Sequence, residues 1–186
     1  MIDLFALLEQ PRRPWLDEHA VKEAFHRLAF AAHPDQPGGQ SDASADLNAA
    51  FVTLRDPVKR LRHFLELEDP TILRQPGSVP DDLGELFPRV AAAREALTRF
   101  AERRRNAASA VARALLAEEE GAAKTIAHET RGAIEKRLAA DLDALRAIDG
   151  GRISDREGLA HLYARLAYLT RWDAQLREAA LQCEIG

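Results

Sequence analysis

The chain has one cysteine, one methionine and few aromatic residues among its 186 positions. Each shortage excludes something. With Cys183 alone, no internal disulfide can form and no zinc ribbon built on cysteine pairs is possible, so a reducing compartment is expected. Aromatic residues make up only 6% and β-branched residues are scarce, which takes away the side chains that favour sheet. No apolar run approaches the ~18 residues of a membrane span. The chain opens on acidic Asp3, not on a basic and then apolar leader, so a cytoplasmic protein without membrane contact is expected. Nor is one sign of charge in excess. Twenty-six basic side chains face 30 acidic ones, with 8 and 10 in residues 1–67 and 18 and 20 in the remainder. A net charge of −4, evenly spread, argues against a groove for nucleic acid.

Catalytic signals are equally thin. There is no glycine-rich phosphate loop, and His19, His26, His33, His63, His128 and His161 do not form a pair at metal-ligand spacing with carboxylates on the same helix face. His128, with Glu129 and Arg131 nearby, is most simply surface chemistry. No cofactor and no enzymatic centre is expected.

What the chain has in quantity is alanine, leucine, arginine and glutamate, with 46% hydrophobic and 30% charged residues. These side chains lose little freedom on entering a helix, so the expected fold is all-α. Helical periodicity recurs from end to end and breaks most clearly at residues 68–82, where Pro70, Pro76, Gly77 and Pro80 cannot share one helix. The expectation is an N-terminal unit at 1–67, a linker at 68–82 and a C-terminal unit at 83–186.

Four helical segments precede the break. Leu4, Phe5, Leu7 and Leu8 form an apolar turn. Leu16 and Asp17 read as staple and N-cap of a helix with the stripe Val21, Phe25, Leu28 and Ala32. Pro34 should stop that helix at His33, ahead of a loop with Pro37, Gly38 and Gly39. Leu47, Phe51 and Leu54 mark a third helix, and Asp56–Pro57 the N-cap and first turn of a fourth, with Val58, Leu61, Phe64 and Leu65.

After the break, Asp82 with Glu85 and Ser154 with Glu157 have capping-box spacing, and Pro88 suits a first turn. Apolar steps through Val90, Ala93, Leu97 and Phe100, then from Val111 to Ile148, then from Leu159 to Leu176, predict three antiparallel helices. The first turn between them falls near Asn106 or Gly121. Arg103, Arg104 and Arg105 favour the former, since cations complement a helix C-terminus, where Glu118–Glu120 would not.

The most informative residues are His33-Pro34-Asp35, placed between an amphipathic helix and a Gly/Pro loop. With Ala24-Phe25-His26-Arg27-Leu28-Ala29-Phe30-Ala31-Ala32 before them and Leu54-Arg55-Asp56-Pro57-Val58-Lys59-Arg60 after, residues 1–67 resemble a J-domain. The resemblance implies docking on a DnaK-type heat-shock chaperone and stimulation of its ATPase, through His33, Pro34 and Asp35 with Lys22, His26 and Arg27 as the charged face. Physically, Pro34 ends the helix and holds an imidazole and a carboxylate outward on a rigid tip. The alternative is that His33 and Asp35 merely cap a helix and a turn. Ala31 and Ala32, titratable His26 and Gln36 stand where such domains often carry permanent cations. Docking by charge is therefore expected to be weak and sensitive to pH. Arg55, Lys59, Arg60, Arg62 and His63 form a second basic cluster, read first as a solvated helix face and second as a partner contact.

No Gly/Phe-rich segment or zinc-binding cysteine set follows. The whole layout is instead similar to HscB, the J-domain co-chaperone family of iron–sulfur cluster assembly. Local matches are Asp3-Leu4-Phe5, Ser44-Ala45-Asp46-Leu47-Asn48 with Ala50-Phe51, Arg94-Glu95-Ala96-Leu97 and Arg165-Leu166-Ala167-Tyr168-Leu169. This implies an HscA-like chaperone and an IscU-like scaffold protein as partners. The scaffold would meet the C-terminal helices at Phe87, Pro88, Ala91, Ala92, Glu95 and Tyr168. Pro88, Ala91 and Ala92 are smaller or less acidic than the family pattern, so Phe87, Glu95 and Tyr168 retain the anchor character that hot spots need. Phe87 and Tyr168 could equally be packing residues. Two competing readings remain, a J-protein for an unrelated client and a helical adaptor without chaperone activity. Trp15 and Trp172 read as packing or interface residues.

Overall fold

The computed structural model describes residues 2–32, 41–73, 79–148 and 155–185, leaving aside the side chains of 41–43, 184 and 185. Among the described residues there is no strand, and the fold is all-α. The helices are α1 (Leu4–Leu7), α2 (Glu18–Ala31), α3 (Ser41–Arg55), α4 (Pro57–Glu68), α5 (Leu86–Asn106), α6 (Ala110–Ala114), α7 (Ala117–Ala147) and α8 (Arg156–Ile185). No helix among the described residues is long and apolar enough to cross a membrane. Packing divides the chain into two compact units, one of Met1–Pro76 with Leu142–Tyr163, the other of Gly77–Asp141 with Ala164–Gly186.

In the first unit the local signals work as expected. Asp17 accepts the Ala20 N–H at 2.9 Å and starts α2, while Asp56 accepts from Val58 and Lys59 at 2.9 and 3.1 Å and starts α4, with Pro57 in its first turn. Each cap satisfies amide donors that a helix start leaves without an internal partner. Phe5, Leu8, Leu16, Val21, Ala24, Leu47, Ala50, Leu54, Leu61, Phe64 and Leu65 are buried, and from the C-terminal half Leu145, Leu159 and Leu162 are buried as well. Phe5 meets Phe64 edge to face at 6.5 Å.

Two members of the expected basic cluster are not on a solvated face. Arg60 and His63 are buried, at 2% and 6% exposure. The Arg60 guanidinium donates to the carbonyls of Pro14 at 3.0 Å and Leu54 at 2.6 Å and lies 5.4 Å from the Trp15 ring centre. Burial pushes its pKa down to about 10, against the pull of Asp56 and Glu18. Trp15 takes a second cation, Arg146, at 5.8 Å.

In the second unit, α5, α7 and α8 share two apolar clusters. Val90 and Ala93 meet Ile134 with Leu169, Trp172 and Leu176; further along α5, Leu97, Phe100 and Ala101 meet Ala123, Ala127 and Cys183. Contacts advance along α5 and α8 while they recede along α7, so α7 runs antiparallel to the other two in this unit. The first helix ends at Asn106 with Arg103, Arg104 and Arg105 in its last turn, and Gly121 lies inside α7. Ala107 then continues in extended backbone, so the end uses no left-handed cap.

One expected cap is corrected. Asp82 and Glu85 form no capping box: residues 81–83 are a 3-10 turn, Glu85 makes no side-chain cap bond, and the Asp82 carboxylate pairs with Arg165 at 2.9 Å. At α8, Asp155 accepts the Gly158 N–H at 2.7 Å; Ser154 lies outside the described residues.

Candidate functional site

The sequence put two sets of residues forward. The first is carried by α2, whose Val21 and Ala24 are buried while Lys22, His26 and Arg27 are exposed. Lys22 and His26 are four apart and so stand on one row of the helix surface. Arg27 is not a free cation, because its Nη2 lies 2.8 Å from the Glu9 carboxylate. Glu9 sits just beyond α1 in left-handed backbone, at φ 51°. The sequence offered no sign of this pair, eighteen residues apart. His19 faces Glu23 at 3.6 Å.

His33, Pro34 and Asp35 lie outside the described residues. Their flanking helices are described. Near the C-terminus of α2 the Ala32 N–H donates to Leu28 O at 2.9 Å, and the Ala32 carbonyl accepts from the Ser44 hydroxyl at 3.4 Å. Two turns back, Phe25 stacks on Phe51 at 4.3 Å with the Arg55 guanidinium 5.5 Å from the Phe51 ring centre. Residue 32 against 44 and 25 against 51 make α2 and α3 an antiparallel pair.

On the same α2 row as Lys22 and His26 stands Phe30, at 70% exposure the most exposed of the large aromatic side chains in the described residues. Sequence reasoning did not single it out as a site residue. The signal was available: in the stripe Val21, Phe25, Leu28, Ala32 it falls off the buried side.

The second set is on α5 and α8. Phe87, Ala91 and Glu95 follow one another at four-residue steps and are all exposed, Phe87 at 54%. Glu95 pairs with Arg99 at 2.6 Å. Tyr168 is half-buried, with the Arg171 guanidinium 4.7 Å from its ring centre. Phe87 and Tyr168 come together through Trp172, at 6.3 and 5.6 Å between ring centres, and Trp172 is buried among Leu83, Val90, Ala93 and Leu169. Trp172 is the floor, with exposed Phe87 and half-buried Tyr168 above it, an arrangement suited to an aromatic anchor for a partner.

The same unit holds two groups of ion pairs. Asp141, at 1% exposure, pairs with Arg165, which also reaches Asp82; Asp173 is held by Arg131 at 3.0 Å and Arg177 at 2.6 Å. No group of three or more His, Cys, Asp or Glu side chains among the described residues is placed to hold a metal ion.

No family model matches the chain, and no solved structure matches it. Curated proteins do. A co-chaperone protein HscB homolog of Aromatoleum aromaticum is 38% identical over 73 residues, which is 35% of this chain and 41% of that protein. Co-chaperone protein HscB of Proteus mirabilis is 26% identical over 88 residues, 43% of this chain and 51% of that one. Chaperone protein DnaJ of Chelativorans is 45% identical over 47 residues, 24% of this chain and 13% of that one. The chain therefore spans about two-fifths to half of the HscB relatives that it matches.

Proposed function

We propose, from the premise that this chain is a J-domain co-chaperone relative of the HscB family, that it stimulates ATP hydrolysis by a DnaK-type, HscA-like chaperone and delivers an IscU-like iron–sulfur scaffold protein to it. It does so in the cytoplasm and without an active site of its own. The observation that supports the reading is the antiparallel α2–α3 pair, the two helices that precede and follow His33-Pro34-Asp35 in sequence, with Lys22 and His26 exposed on α2.

The chemistry required of the co-chaperone is that of an oriented ligand. A proline fixes its own φ and disfavours helix in the residue before it, a restriction that lowers the ordering cost of binding through His33 and Asp35. Lys22 and His26, exposed on one row of α2, supply the polar contacts of the encounter. Phe87 and Tyr168 on Trp172, with Glu95 beside them, supply the apolar and acidic face for the scaffold. Both partners then bind one chain, so a scaffold held on α5 and α8 is brought to the chaperone at a raised effective concentration.

Single-turnover ATPase of the cognate chaperone tests the first half. The wild type should raise the rate and His33→Gln should abolish the increase; an identical rate with both proteins rejects the reading in favour of a helical adaptor. Binding of the purified scaffold tests the second half, with loss expected for Phe87→Ala. Intact ATPase stimulation with no scaffold complex would assign the C-terminal helices to another client.

A further inference from the structure

We infer that this protein holds its chaperone mainly by an apolar contact of Phe30, and only weakly by charge. The inference rests on the reading of α2 as the chaperone-docking face and names what that face recognises: an apolar patch on the chaperone beside the site that takes the His33-Pro34-Asp35 tip.

The charge balance on α2 comes first. The helix carries two permanent cations, Lys22 and Arg27, and two carboxylates, Glu18 and Glu23, so with neutral histidines it has no net charge. Arg27 is already engaged by Glu9 at 2.8 Å. Lys22 is left as the one permanent cation of this helix that no described ion pair uses, and a single exposed charge gives little attraction at physiological salt. Long-range steering of an acidic chaperone surface cannot rest on it.

The apolar side is stronger. Phe30 is 70% exposed although it sits in a helix whose buried residues are small, and it follows Lys22 and His26 at four-residue steps. An aromatic ring left in water costs free energy in the free protein, and that cost is recovered when a partner covers it. It stands in the last turn of α2 on the row that Lys22 and His26 share, so a chaperone that docks on this row also covers the ring. Lys22 and His26 lie on the same row, which gives the apolar contact the polar rim usual around an anchor.

Single-turnover ATPase of a DnaK-type chaperone, titrated with the full-length protein, tests this. For the wild type, the concentration giving half-maximal stimulation should change less than about threefold between ~0.05 and ~0.5 M NaCl. Phe30→Ala should raise it about 10- to 100-fold, the loss expected from one buried aromatic ring, with the rate recovering at high concentration. Phe30→Leu should keep most of the affinity. Unchanged circular dichroism and melting for Phe30→Ala would show that the fold is intact, as its exposure requires. A steep salt dependence, or a Phe30→Ala titration that overlays the wild type, overturns the apolar contact while leaving the co-chaperone reading in place. No stimulation by the wild type, in an assay where another J-protein works, overturns both.

Discussion

A buried cation depends on the carbonyls around it. Arg60 satisfies Pro14 and Leu54 with two guanidinium nitrogens and stacks near Trp15. Lysine has neither the fork nor the flat face, so Arg60→Lys should destabilise the protein by about 2 kcal/mol, read from urea unfolding followed by Trp15 fluorescence. Arg165 poses the same question with the signs reversed. Its removal leaves Asp141 buried without a counterion, and Arg165→Ala should lose about 3 kcal/mol, much of it restored by adding Asp141→Leu. If Arg165→Ala alone unfolds at the wild-type urea concentration, water already solvates that carboxylate. None of this was legible beforehand. Arg60 and His63 read as surface charges because their helix is rich in them, and burial is set by what other segments bring.

At the scale of the element, α1 is docked on α4 through one histidine. Nε2 of His63 accepts the Leu4 N–H at 3.1 Å, which requires the neutral ring, and the imidazole stacks on Phe5 at 5.6 Å. Burial pushes the His63 pKa below its ordinary 6.5, as does Arg12 to a smaller degree, while Asp3 and Glu66 oppose the shift. A pKa lowered by folding means that the unfolded chain takes up the proton first. Stability is therefore full above about pH 6.5 and falls as pH drops through that value, until the folded state is protonated too. His63→Gln, whose side chain can still accept, should flatten this part of the stability–pH curve; an unchanged slope would move the effect to another group. Helix starts were far easier to read. Asp17 and Asp56 cap as their spacing predicted, because a cap is a contact between residues two or three apart. Asp56→Ala should cost about 1 kcal/mol in thermal or urea unfolding. Asp82 and Glu85 had equally good spacing, but Arg165, far along the chain, engages Asp82 instead.

For the whole molecule, the first unit is discontinuous in sequence. Leu142–Tyr163 belongs to it, bringing buried Leu145, Leu159 and Leu162, the Arg146 cation to Trp15 and Arg156 to within 3.1 Å of Glu68. A fragment ending at residue 76 lacks all of these and should melt at lower temperature than the same residues in the full chain, with Trp15 fluorescence shifted to the red. A fragment as stable as the full chain would show that the first four helices suffice. The unit that contains α2 and α3 is thus completed by residues from far along the chain, so truncations that aim to isolate it should weaken it.

Composition and periodicity by themselves determined that the protein is helical, where α2 and α4 start, that the first turn of the C-terminal helices falls near Asn106 or Gly121, and that His33-Pro34-Asp35 follows one helix and precedes another in sequence. These are short-range matters, settled by propensity, caps and apolar spacing within a few residues. Tertiary structure alone decided that Arg60 and His63 are inside, that Glu9 occupies Arg27, that Trp172 supports Phe87 and Tyr168, and that Phe30 is left in water. Burial and ion pairing depend on which distant residues fill the neighbouring space, and a side chain's own neighbours in sequence do not carry that information.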